Sequence, residues 1–253
     1  MSLLGVDVPP ISNVTIWGSG LFGFNKTAAI YCFATIATIL VFVLGTRRKD
    51  ALVPAGLFQN VAESGVGFVR NQVIMQTIGP DGMTFLPYLT ALFFFIFFSN
   101  IFEIIPYFQF PANARIAMPL VLALITYVIF NVVGIAKQGP FKYVKNAIVP
   151  PGVPKAILPL VVVIELVSYF LVRPFSLMVR LFANMLAGHL ILATFSIICT
   201  AVFKKSVLIV ILPFSFGLLF ALTGFEILVS FLQAFIFTIL TAVYIGGSIH
   251  PEH

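Results

Sequence analysis

Apolar stretches of membrane-spanning length, separated by short basic or proline-bearing segments, set the pattern of this chain. Thr27 to Thr46 contains no charged residue. Twenty such positions, coiled as a helix, cross a hydrocarbon core of about 30 Å. Residues 83–105, rich in phenylalanine and closing at Glu103, and residues 116–136 predict two further spans. Between the first two spans, residues 51–82 are more polar. After Pro54, Leu57, Val61, Phe68 and Val69 outline a loose apolar face, which predicts a cytoplasmic or interfacial helical segment.

The second half has a different rhythm. From Ala156 to Phe203 the only charged residues or histidines are Glu165, Arg173, Arg180 and His189; from Ser206 to Ile249 Glu226 stands alone. A continuous helix over 156–203 would be about 72 Å long, more than twice the bilayer core. Two long, strongly tilted helices, 156–203 and 206–249, turning at Lys204-Lys205, account for this. The expected fold is all-α: one polytopic membrane domain with about five membrane helices, preceded by an outer segment, residues 1–26.

Composition sharpens the reading. Only 9% of residues are charged and 60% are hydrophobic, with a mean hydropathy of +1.12, against about 25% charged in soluble domains. A globule could not cover its surface with so few charges, so the lipid bilayer is the solvent. This excludes a soluble enzyme, a secreted disulfide scaffold and a disordered tail. The net charge of +6 does not point to nucleic acid, because the basic residues lie in short loops. Arg47, Arg48 and Lys49, Arg70, and Lys137, Lys142, Lys145 and Lys155 outnumber Lys26, Arg115, Lys204 and Lys205, which puts the first group inside, the N-terminus outside and the C-terminus in the cytoplasm. The loop carrying Pro140, Pro150, Pro151 and Pro154 is expected to be irregular. Cys32 and Cys199 sit within apolar runs and read as small buried apolar residues. No metal or cofactor is called for.

Charges at membrane depth are costly and mark function. Arg180 is central in its run, too far from either end to snorkel easily. Ser176, Arg180 and Asn184 form a polar stripe at one-turn spacing, and Arg173 shares that face. Arg173, nearer the inner end, reads as an anchor. On the last run Glu226 and Gln233 share a face, with Tyr244 close to it. Pairing Arg180 with Gln233, and His189 with Glu226, centres an antiparallel hairpin near position 207, beside Lys204-Lys205. Imidazole and carboxylate side by side at depth form a pair whose proton affinities can be tuned to a working range. That is what a proton path requires.

The segment Val172-Arg-Pro-Phe-Ser-Leu-Met-Val-Arg-Leu-Phe-Ala-Asn-Met-Leu-Ala-Gly-His189 resembles the signature of subunit a of the F-type ATP synthase, and Leu232 to Tyr244 resembles that family's last-helix segment. Ser99-Asn100 with Ile105-Pro106, and Phe58-Gln59 with Glu63, are weaker matches. The similarity spans about residues 50–250. It implies a membrane stator subunit, with no nucleotide site of its own, that couples proton translocation to ATP synthesis in a bacterial plasma membrane. The implied partners are an oligomeric c-ring bearing buried carboxylates, the subunit b peripheral stalk and the other synthase subunits. By the same resemblance Arg180 faces the ring and separates two half-channels, and Gln233 helps to hold it. His189, Glu226, Asn184 and Gln233 belong to the outer path and Glu165 and Ser176 to the inner one, with Arg173 and Tyr244 in support. The spacing from Glu165 to Pro174 is one residue longer than in many members of the family it resembles.

Two other classes fit the sequence less well. A secondary transporter with an arginine–carboxylate anion site should show repeated halves with broken helices, and none is visible. A redox subunit with bis-histidine haem would need a second deep histidine. No phosphate-binding G-x-x-x-x-G-K-[ST] loop is present.

Overall fold

The computed structural model describes residues 2–3, 6–7, 26–46, 56–102, 104–105, 113, 115–149, 154, 157–204 and 212–249. A short antiparallel pairing of β1 (Ser2–Leu3) with β2 (Val6–Asp7) sets Ser2 opposite Asp7. Among the described residues, everything else of regular structure is helical. Lipid offers no partner for backbone N–H and C=O groups, so a long apolar run must bond them within itself, as a helix.

Helix α1 is Lys26–Thr46. Helix α2 is Leu57–Phe68, continued by a π-helical turn, Val69–Ile74, into α3, Met75–Thr77. A 3-10 stretch, Pro80–Phe85, enters α4, Leu86–Ile101, and α5 is Ala117–Gln138. Then come α6, Pro140–Ile148, and α7, Leu158–Val167, joined by a second π turn, Ser168–Val172, to α8, Arg173–Lys204. The last element is α9, Leu212–Ile249. Among the described residues, five stretches are long and apolar enough to cross a membrane: Ala28–Gly45, Pro80–Ile101, Ala117–Gln138, Leu158–Ile197 and Pro213–Ile249. They follow the expected spans to within a few residues at most ends. The expected turn beyond Lys204 lies outside the described residues.

Three expectations are corrected. The proline-bearing loop after α5 is not irregular throughout, because it contains α6. Gly139 reverses the chain at φ 81°, and Pro140 takes the first helical position, where its missing N–H forfeits no bond. Val149, ahead of two prolines, is extended at φ −114°, ψ 92°, as a residue preceding proline should be. In the segment 51–82 the helix exists, but Leu57 is 76% exposed while Gln59, Ala62, Val69, Val73 and Ile74 are buried. A protein in lipid gains nothing by hiding an apolar side chain, and the π turn shifts the inward stripe by a residue. Cys32, for the same reason, is exposed on α1 rather than buried.

Helix α9 is the axis of packing, in contact with α4, α5 and α8. Its inward stripe is mostly small or hydroxylated: Ser230, Ala234, Thr238, Thr241, Ala242 and Ser248 are buried. Small residues let helix backbones approach where no hydrophobic effect drives them together. The hydroxyls of Thr238 and Thr241 donate to the carbonyls of Ala234 (2.8 Å) and Phe237 (2.9 Å), so they cost the core no unmet bond. Phenylalanines close the other flank. The Phe68 ring meets Phe93, Phe231 and Phe235 at centroid distances of 5.7, 5.5 and 5.4 Å, tying α2 and α4 to α9. Helix α1 packs on α2 and α4.

Candidate functional site

Helices α8 and α9 run antiparallel, and two contacts fix their register. The Asn184 carboxamide Nδ2 donates to Gln233 Oε1 at 3.4 Å. Farther along α8, the Glu226 carboxylate occupies the space a Cβ would take at Gly188. The partner number falls on α9 as it rises on α8. The expected level pairing of Arg180 with Gln233 is displaced by one turn, to Asn184. Glu226 stands level with the glycine before His189, within one residue of the expected pairing. His189 itself is half-buried.

Arg180 lies on the outer face of α8 and is exposed. Among the described residues no carboxylate pairs with it, and no hydrogen bond joins it to Gln233. This argues against an arginine held structurally by an acid on a neighbouring helix. A guanidinium midway along a membrane-length helix, with no carboxylate partner among the described residues, calls for a partner's anion or for water. Beside it, Ala183 and Ala187 are also exposed, leaving room for another helix to come close. Ser176 and Asn184, one turn to either side, are half-buried.

Behind this face α9 carries a buried polar row: Glu226 (5% exposed), Ser230 (0%) and Gln233 (3%). Ser230 Oγ and Gln233 Nε2 have no hydrogen-bond partner within the described protein. Each buried group left unmet costs about 1–3 kcal/mol, so two in adjacent turns offer bonding positions suited to a water or a partner group. Sequence reasoning missed Ser230. Its signal was the spacing Glu226, Ser230, Gln233, which is one helical face.

A second polar cluster gathers at Arg173. Its guanidinium stands 4.5 Å from the Tyr169 ring centroid and 5.4 Å from that of Tyr244, a cation–π arrangement on two sides. Tyr169 lies within the π turn and is buried. Its hydroxyl is hydrogen-bonded to that of Tyr143 from α6, and Tyr143 in turn donates to Asn131 Oδ1 on α5 at 3.2 Å. Gln138 Nε2 donates to the Ser248 carbonyl at 2.8 Å, closing α5 onto the end of α9. Arg173 and Tyr244, singled out in the sequence, are thus brought together; Tyr143, Tyr169 and Asn131 were not foreseen. Only the one-turn spacing of Tyr169 and Arg173 hinted at them. Glu165, half-buried on α7, is separated from Ser176 by the π turn. Such a turn takes in one residue more than an α turn and rotates what precedes it by about 100°.

The weaker matches are also placed. Asn113 Nδ2 donates to Ser99 Oγ (2.8 Å) and Asn100 Oδ1 (2.5 Å), and Tyr31 donates to Asn113 Oδ1 at 3.0 Å, so α1 and α4 share one buried polar knot. On α2, Gln59 Nε2 donates to Glu63 Oε1 at 2.8 Å.

Comparison with known proteins gives a consistent picture. Residues 29–246 match the family model described as ATP synthase A chain. Among relatives, the ATP synthase subunit a of Frankia alni is 45% identical over 93% of this chain and 81% of its own length. Those of Rhodococcus erythropolis (43%; 92% and 86%) and Rhodopseudomonas palustris strain HaA2 (44%; 93% and 92%) are similar to a like degree.

Proposed function

The chain belongs to the ATP synthase subunit a family, and on that premise we propose that it is the proton-conducting stator subunit of the Fo sector, with Arg180 facing the carboxylates of a rotating c-ring. It is a multi-pass membrane protein of the bacterial plasma membrane, and in this reading its N-terminus is outside and its C-terminus cytoplasmic. The observation that carries the proposal is Arg180 itself, an exposed cation midway along a membrane-length helix with no carboxylate paired to it among the described residues.

The chemistry follows from charge. A ring carboxylate arriving beside a fixed guanidinium is favoured in its ionised form and releases its proton. Arginine suits this role because it stays charged and offers a planar fork. The proton leaves by the inner path through Glu165 and Ser176. Once the ring has turned, the carboxylate is reprotonated from the outer path, lined by His189, Glu226, Asn184 and Gln233, with water at Ser230 and Gln233 completing the connection. The potential drives each charge by about 2.3 kcal/mol per 100 mV. Arg180 keeps the two paths from joining, and Arg173, clasped by Tyr169 and Tyr244, steadies the inner end. The c-ring, the subunit b stalk and the rest of the synthase are the partners in this scheme.

The test is proton transport in vesicles carrying the assembled complex. Arg180→Ala should abolish ATP-driven pumping with assembly retained. Arg180→Lys should fail as well, because a point ammonium lacks the fork and loses its proton more readily when desolvated. Pumping at the unmodified rate by Arg180→Lys would overturn the assignment.

A further inference from the structure

Helix α6 has a face that the proposed proton path does not use. Tyr143 anchors its inner side, buried against α5 and the π turn, and Asn146 Nδ2 donates to Gln138 Oε1 at 2.9 Å. Because Tyr143 reaches back to Asn131, about two turns before the end of α5, α6 folds back along that end rather than projecting away from it. On the opposite side Phe141 is 92% exposed, and Val144, Lys142 and Lys145 are exposed around it. At about 100° per residue these four lie in the order Val144, Phe141, Lys145, Lys142 around the helix. The outward surface therefore grades from apolar to basic. Lys137 at the end of α5 is exposed beside it, and no acidic residue occurs anywhere between Glu103 and Glu165.

We propose that this face of α6 binds anionic phospholipid, with Lys142 and Lys145 on the headgroup phosphates and Phe141 and Val144 among the first carbons of the acyl chains. Aromatic and aliphatic side chains next to lysines, on a short helix lying at a membrane-level helix end, have the chemistry of an interfacial helix. A cationic surface without a single acid nearby is complementary to an anionic leaflet. Phe141 is far too exposed to be left in water, while a lipid surface accepts it without a built pocket. Since the same helix presents Tyr143 to Tyr169, a lipid bound there steadies the cluster around Arg173.

The chain has a single tryptophan, Trp17, which makes a clean optical test possible. The full-length chain carrying Trp17→Phe and Phe141→Trp is reconstituted into vesicles of equal phosphatidylcholine and phosphatidylglycerol, with bromine on the acyl chains of one lipid or the other. Brominated phosphatidylglycerol should quench the fluorescence in clear preference to brominated phosphatidylcholine. Lys142→Gln with Lys145→Gln should weaken that preference by roughly thirtyfold, the order expected for two lysines at an anionic surface. A tryptophan at Val121, exposed on α5 ten residues before Asn131, should be quenched equally by both lipids with or without the lysines, which checks that the variants are folded and inserted. Equal quenching at position 141, no quenching by either lipid, or a preference that survives loss of both lysines would overturn the proposal.

Discussion

The carboxylate of Glu226 on α9 lies directly over the backbone of Gly188 on α8, in space that a side chain at 188 would fill. The glycine in front of His189 is therefore a seat for the acid. In a helix interior glycine costs about 1 kcal/mol relative to alanine, so propensity alone favours replacing it. Gly188→Ala should leave the protein as stable as before, yet displace Glu226 and lower passive proton flux through ring-containing vesicles by tenfold or more, about 1.4 kcal/mol of barrier. Unchanged flux would mean that the seat has no part in conduction.

His189 is the immediate neighbour of that seat, so the two titratable groups are expected to act as one relay. Each single change to an apolar residue should slow proton entry from outside. Exchanging them, His189→Glu with Glu226→His, should recover a substantial part of what the single exchanges lose. The quantity to measure is the coupling in a double-mutant cycle on proton flux. Losses that simply add would show that the two do not share a proton.

Ser230→Ala separates a wet site from a dry one. If the hydroxyl is dry and unmet, its removal should raise stability by about 1–3 kcal/mol and leave flux alone. We expect the other outcome. Water held between Ser230 and Gln233 loses one of its anchors, thermal stability barely moves, and flux falls several-fold. A stabilised variant conducting normally would count against water at this place.

The π turn Ser168–Val172 sets the azimuth of α7 relative to α8. Deleting Leu171 should let the turn relax to α-helix and swing Glu165 by about 100° relative to Arg180. ATP-driven pumping should then be lost although the chain still inserts and assembles. Tyr169→Phe is the milder companion. It keeps the ring over Arg173, loses the bond to Tyr143, and should cost only about 1 kcal/mol in thermal unfolding. Pumping that survives the deletion would remove Glu165 from the inner path.

The sequence by itself determined which stretches are long and apolar enough to cross lipid, because run length and the absence of charge answer to the thickness and polarity of the bilayer alone. It also determined the rare polar residues at depth, Arg180, Glu226, Gln233 and Asn184, since lipid makes each of them conspicuous. It brought α8 and α9 into an antiparallel hairpin with a register correct to within a turn. Only the tertiary structure decided which faces turn inward. Leu57 points out and Gln59 points in, because in lipid the contrast between apolar outside and apolar inside vanishes, and close fit between small residues and backbone decides instead. The two π turns, the folding of α6 back on α5, and the meeting of Asn131, Tyr143, Tyr169 and Arg173 likewise depend on partners far apart in the chain. Helical periodicity reports neighbours one turn away; it carries no signal about which distant helix will supply the next hydrogen bond.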